Sequence, residues 1–182
     1  MSSSSLNRGV AKIEVTLKWD PSPLGAPPHD LDLVAATYTA KDPNGKPAYL
    51  VYFGSRSPDG TITLDRESRT GQGFGADEEM TLELDRLSPA YHRVVVGVAI
   101  QQRDGRRTFG DITNARARVL EGYTELAQHD FVGIPSATAA TFAEFTRDAS
   151  GAWQFRTAVR GFDTDPQSFG TLMGTTSTTG TV

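Results

Sequence analysis

The sequence predicts an all-β fold, namely a two-sheet antiparallel β-sandwich followed by a short C-terminal helix. Short segments alternate apolar and polar residues with a period of two, and turn residues recur about every ten positions. No segment keeps a helical periodicity for long. A chain of 182 residues suits one domain. We place the sandwich at 10–162, a flexible N-terminus at 1–9, and the helix with a disordered Thr/Ser/Gly tail at 163–182.

The first strand shows the alternation most clearly. Its apolar residues occupy every second position and should face the core: Ile13, Val15, Leu17 and Trp19. The next strands are predicted over residues 31–40, 48–53, 61–64 and 80–84. Turn sequences such as Asp42–Gly45 and Ser57–Gly60 separate them.

The second half of the chain continues the strand pattern. Residues 92–101 are almost entirely apolar in the middle, which indicates a strand buried on both faces. Arg103-Asp104-Gly105-Arg106 then predicts a hairpin turn. The remaining strands are predicted over 115–121, 124–131, 138–147 and 152–159.

Aromatic residues inside these patterns should form the core rather than a stacking surface. They are Tyr38, Tyr49, Tyr52, Phe53, Phe142, Phe145, Trp153 and Phe155. In the last strand, Thr157 and Val159 should share the face of Trp153. Asp165 as N-cap and Pro166 in the first turn predict a helix that ends near Gly174.

The composition excludes several classes of protein. The chain has no cysteine, which removes disulfides, thiolate metal sites and cysteine nucleophiles. A net charge of −4 argues against binding to nucleic acid through phosphate neutralisation. No apolar run is long enough to span a membrane, and the first residues do not resemble a signal peptide, so we expect a cytoplasmic protein.

Acidic residues gather at the start of the second predicted strand. Asp30 and Asp32 are two positions apart in an extended segment, so they lie on the same side of the chain. Two carboxylates on one side repel each other unless a cation lies between them. The alternative is that both are solvated residues at the edge of a loop.

A second acidic segment follows a glycine-rich loop. Gly71, Gly73 and Gly75 allow a tight backbone that turns carbonyl groups inward, and Asp77 and Glu78 follow. Oxygen ligands without sulfur or imidazole are those that Ca²⁺ prefers. The alternative is a flexible loop before an acidic strand.

The segment 71–76 also fits the dinucleotide-binding pattern G-x-G-x-x-G/A. That motif requires a helix after it, but the following residues alternate with a period of two, as in a strand, so we reject a nucleotide site.

Several segments together resemble a known family. In chain order they are Leu17-Lys18-Trp19-Asp20, Asp30-Leu31-Asp32, 70–78, 109–119, 124–127 and 142–155. They resemble the TerD family of bacterial tellurium-resistance and stress proteins. The resemblance implies a β-sandwich that binds Ca²⁺ in loops at one end, has no known enzymatic activity and works in the cytoplasm. It also implies a protein partner, such as another tellurium-resistance-type protein.

The acidic motifs depart from those of the family. The family has an acid at the positions of Pro28, Gln72 and Ala76, and a G-D-N triplet where this chain has Arg66-Glu67-Ser68. The metal-site candidates that the resemblance leaves are Asp30, Asp32, Glu67, Gly71, Gly73, Asp77 and Glu78. Since calcium affinity follows the number of charged ligands, these losses should weaken it.

We therefore expect a non-enzymatic stress-response module with weak residual Ca²⁺ binding. One alternative is a metal-free protein-interaction scaffold with the same fold. A second is a metal-assisted hydrolase, for which His29 would be the histidine beside the acidic residues.

Overall fold

The computed structural model describes residues 9–176. They form two antiparallel five-stranded sheets packed face to face, which confirms the predicted all-β sandwich. The ten strands are β1 Lys12–Lys18, β2 Leu31–Thr39, β3 Tyr49–Val51, β4 Ile62–Arg66, β5 Glu78–Glu83, β6 Tyr91–Ile100, β7 Arg116–Glu121, β8 Thr124–His129, β9 Ala139–Arg147 and β10 Trp153–Phe162. Short 3₁₀ turns lie at Leu84–Arg86 and Phe109–Asp111, and helix α1 spans Pro166–Leu172.

The first sheet has the strand order β4-β5-β1-β7-β8, and the second has the order β10-β9-β6-β2-β3. In β1, the predicted alternation places Ile13, Val15 and Leu17 in the core at 0 % exposure. The register pairs Leu17 with Glu78, so the end of β1 lies beside the start of β5. It also pairs Ile100 with Leu31, so the end of β6 lies beside the start of β2.

Strand β6, in the middle of the second sheet, is buried on both faces from Val94 to Ile100, as predicted from its apolar sequence. One face contributes to the core between the sheets, and α1 covers part of the other through Phe169 and Met173. Gly97 on β6 makes this docking possible, because a Cβ there would lie 2.7 Å from the Phe169 ring. The predicted N-cap is confirmed: the Ser168 N–H donates to Asp165 Oδ1 at 2.8 Å.

The structure corrects the hairpin predicted at Arg103–Arg106. A turn does form there, but β6 pairs with β2 and β9, whereas the next strand, β7, belongs to the other sheet. The segment therefore crosses between the sheets. Turn residues specify a local reversal but not which sheet the chain enters next.

Two predicted core residues are exposed. Val159 is 39 % exposed because the register of β10 shifts between Thr157 and Arg160, which breaks the alternation beyond Thr157. Phe53 is 46 % exposed because β3 ends at Val51 and the chain turns back between Tyr52 and Ser55.

The predicted termini lie largely outside the described residues, which leave out 1–8 and 177–182. Val10 forms an isolated bridge with Trp153. At the other end, the Thr175 carbonyl accepts a hydrogen bond from Arg160, so the docked chain extends past α1. Within residues 9–176, no helix is long and apolar enough to cross a bilayer.

Candidate metal centre

The starts of β2 and β5 meet at one end of the sandwich. The backbone N–H of Leu33 donates a hydrogen bond to Glu78 Oε2 at 2.6 Å, across the gap between the two sheets. Strand β3 pairs only with the Ala35–Thr37 part of β2, so it leaves the first half of β2 open on that edge. The Glu78 carboxylate supplies the acceptor that a neighbouring strand would otherwise provide.

Three carboxyl groups are buried together at this end, which we call the acidic cluster: Asp30, Asp32 and Glu78. They are 6 %, 5 % and 0 % exposed. Burial, and then the charge of neighbouring Asp32, raise the pKa of Asp30 to about 7 and that of Glu78 to about 10. Burial also raises the pKa of Asp32, against the hydrogen bond that Gln101 Nε2 donates to Asp32 Oδ2 at 2.6 Å. The folded chain thus holds these groups where negative charge is unfavourable.

Several carboxylate oxygens at this end have no hydrogen-bond partner. They are Asp30 Oδ1, Asp77 Oδ1 and Glu78 Oε1, and all three belong to buried residues. Buried polar atoms in folded proteins are almost always paired, so three unpaired acceptors at one end of the fold require an explanation. For Glu78 in the calcium-free protein, the raised pKa allows a protonated carboxyl group that donates to the Asp32 carboxylate. Carboxylate oxygens with free lone pairs are suitable ligands for a hard cation such as Ca²⁺.

Trp19 joins the two loops that carry these acids. Its backbone N–H donates to Asp77 Oδ2 at 2.9 Å, and its indole Nε1 donates to the His29 carbonyl at 2.8 Å. Gly71 packs directly against the indole: its φ is +75°, and a Cβ there would lie 2.5 Å from Nε1. The glycine is therefore required for both backbone conformation and space.

The predicted ligands differ in where the structure places them. Asp30, Asp32 and Glu78 lie together, while the Asp77 carboxylate is directed to the Trp19 backbone. Glu67 is exposed, although its charge acts on Asp30 and Asp32. Gly73 is exposed as well. Across residues 9–176, no three acidic or histidine side chains are arranged to coordinate a metal ion, so the metal site stays a prediction.

Two residues of the crossover between the sheets belong to this site, and the sequence patterns did not single them out. Gln101 binds Asp32 through its side chain, and its backbone N–H donates to the Asp30 carbonyl at 2.9 Å. Arg103 forms an ion pair with Asp30, with 3.4 Å between the guanidinium and Oδ2. The only local signal was the turn itself, which carries no information about a partner 69 positions away, as Asp32 is from Gln101.

The fold and the site define a class of protein: a two-sheet β-sandwich with buried carboxylates beneath a glycine loop at one end. The TerD domain family model matches residues 2–170. The chain belongs to the TerD family.

Relatives with known names or structures agree with this assignment. The chain is 30 % identical over 158 residues to "Tellurium resistance protein TerD" of Alcaligenes sp., covering 84 % of this chain and 82 % of that one. It is 26 % identical over 163 residues to "General stress protein 16U" of Bacillus subtilis, covering 86 % and 83 %. A solved TerD homologue from Streptomyces coelicolor, SCO6318, is 60 % identical with a TM-score of 0.89, covering 92 % of this chain and 99 % of that one.

Proposed function

We propose that this protein is a non-enzymatic, cytoplasmic stress-response module that binds one Ca²⁺ weakly at the acidic cluster and Asp77. The observation that carries the proposal is the set of buried, unpaired oxygens on Asp30, Asp77 and Glu78. Bound calcium would supply the positive charge that lets these carboxylates stay ionised while buried. The names of its relatives support a role in stress or tellurium resistance.

The chain's own residues prepare this end for a cation. The Leu33 backbone N–H donates to one oxygen of Glu78, and the Trp19 backbone N–H donates to one oxygen of Asp77. These hydrogen bonds fix the two carboxylates and leave the second oxygen of each without a partner. Gln101 fixes the Asp32 carboxylate through its side-chain amide. Because the side chains must still close around the ion, we expect a Kd on the order of 10⁻⁴ M or weaker.

Calcium titration by calorimetry and thermal denaturation tests this proposal. We expect millimolar CaCl₂ to raise the Tm of the wild type, since a ligand that binds only the native state stabilises it. Asp32→Asn and Glu78→Gln should abolish the shift. Asp85→Asn is the matched control, because Asp85 is exposed at the opposite end of β5. A wild type without heat or shift would contradict calcium binding.

A metal-free interaction scaffold is the second candidate. Among residues 9–176, no three acidic or histidine side chains are arranged to coordinate a metal ion, and this observation favours the scaffold. The calorimetry above separates the two candidates. A hydrolase has less support, since His29 is 6 % exposed and leaves little room for a substrate beside its ring. We propose that the physiological partner is another protein, such as one of the tellurium-resistance type.

A further inference from the structure

Arg103 approaches the acidic cluster from the solvent side. Its guanidinium lies 3.4 Å from Asp30 Oδ2, and its side chain is 59 % exposed, whereas that of Asp30 is 8 % exposed. The opposite oxygen of Asp30, Oδ1, has no hydrogen-bond partner. Arg103 thus contacts the outer side of the cluster and leaves Asp30 Oδ1 unpaired, while the charge of Arg69 also acts on Asp30.

The backbone around Arg103 is held in place independently of this ion pair. On one side, Gln101 bonds to Asp32 and to the Asp30 carbonyl, and Gln102 Nε2 donates to the Arg107 carbonyl at 2.9 Å. On the other side, the backbone N–H of Arg107 donates to Gln102 Oε1 at 2.8 Å. The Arg103 side chain can therefore move into solvent without the loop having to unfold.

The Arg103 guanidinium contacts only one of the three carboxyl groups, and its charge repels any other cation nearby. An ion pair that is half exposed is also weak and easily displaced. A divalent cation among the inner oxygens would offer twice the charge at closer range.

We propose that Arg103 is a tethered counter-ion of the acidic cluster that competes with calcium for it and so sets the calcium affinity of the site. This inference rests on the proposed function. Without calcium, Arg103 balances part of the buried negative charge. When calcium binds, the like charges repel and the Arg103 side chain turns outward.

The test compares calcium affinity among variants of the full chain by calorimetry. We expect Arg103→Ala to bind Ca²⁺ about tenfold more tightly than the wild type, since one nearby positive charge has been removed. Arg103→Lys keeps that charge and should remain close to the wild type. Arg106→Ala is the matched control: Arg106 lies in the same loop, is similarly exposed and pairs with Asp163 instead.

A second measurement uses the calcium-free protein in EDTA. Arg103→Ala should lower the urea midpoint more than Arg106→Ala does, and saturating calcium should remove the difference. A wild type that binds calcium while Arg103→Ala binds no more tightly would overturn the inference alone. Binding only by Arg103→Ala would support the inference and contradict the proposed function. Absence of binding by both proteins would overturn both.

Discussion

The Glu78 carboxylate accepts the backbone N–H of Leu33 at 2.6 Å and thereby ties the start of β5 to the open edge of β2. These residues are 45 positions apart and belong to different sheets. Glu78 thus has two roles. Its Oε2 accepts a hydrogen bond that stabilises the fold, and its unpaired Oε1 lies at the proposed metal site. Substitutions can separate these two roles.

Glu78→Gln should keep the structural role and lose the metal role. The amide oxygen can still accept from Leu33, so we expect the free energy of unfolding in EDTA at pH 7 to stay within about 1 kcal/mol of the wild type. Glu78→Leu leaves the N–H unpaired and should cost about 1–3 kcal/mol. Urea denaturation measures both. Equal losses for the two variants would mean that the hydrogen bond contributes little.

The calcium-free protein should become less stable as the pH rises from about 6.5 to 8, above the range in which the lowered pKa values of His29 and His129 act in the opposite direction. The pKa values of Asp30 and Glu78 are raised in the folded state, to about 7 and about 10, so folding favours their protonated forms. That contribution is complete below the ordinary carboxyl pKa near 4 and is lost as the pH rises through the folded values. Urea denaturation in EDTA should show the decline, and Glu78→Gln should reduce it. Stability that increases over this interval would refute the shifts.

Gly71→Ala should destabilise the protein more than Gly60→Ala. Both glycines have positive φ, +75° and +72°, so an alanine strains the backbone similarly at each. A Cβ at position 71 would also meet the Trp19 indole, whereas nothing lies within 4 Å of one at position 60. We expect an extra loss of about 1–3 kcal/mol for Gly71→Ala, measured by urea denaturation. Similar losses would show that Trp19 moves aside freely.

Trp153→Ala should be strongly destabilising. Trp153 is 3 % exposed in the core, and the Arg147 guanidinium lies 4.7 Å from the centre of its ring. Large-to-small changes of this kind cost about 3–5 kcal/mol. Val159→Ala in the same strand, beyond the register shift, should change stability by only about 0.5 kcal/mol. Denaturation midpoints that fall equally would contradict this difference in packing.

The sequence predicted the strands well where burial and alternation coincide, as in β1, and where both faces are covered, as in β6. It could not predict the register shift after Thr157, because a bulge depends on the neighbouring strand and leaves the apolar pattern unchanged. At the site, the local spacing of Asp30 and Asp32 indicated their shared side. The contributions of Gln101 and Arg103 depend on a crossover between the sheets, which no local pattern contains.

The register shift in β10 also bears on how copies of the chain behave at high concentration. Strand β10 forms an outer edge of its sheet, where unpaired backbone groups could extend the ladder into a neighbouring molecule. The bulge between Thr157 and Arg160 interrupts that row, and the Arg156 and Arg160 side chains on either side of it bond to Glu144 and to the Thr175 carbonyl respectively. Two such edges would meet with mismatched hydrogen bonds. The irregularity that exposes Val159 thus protects the longest edge strand against aggregation.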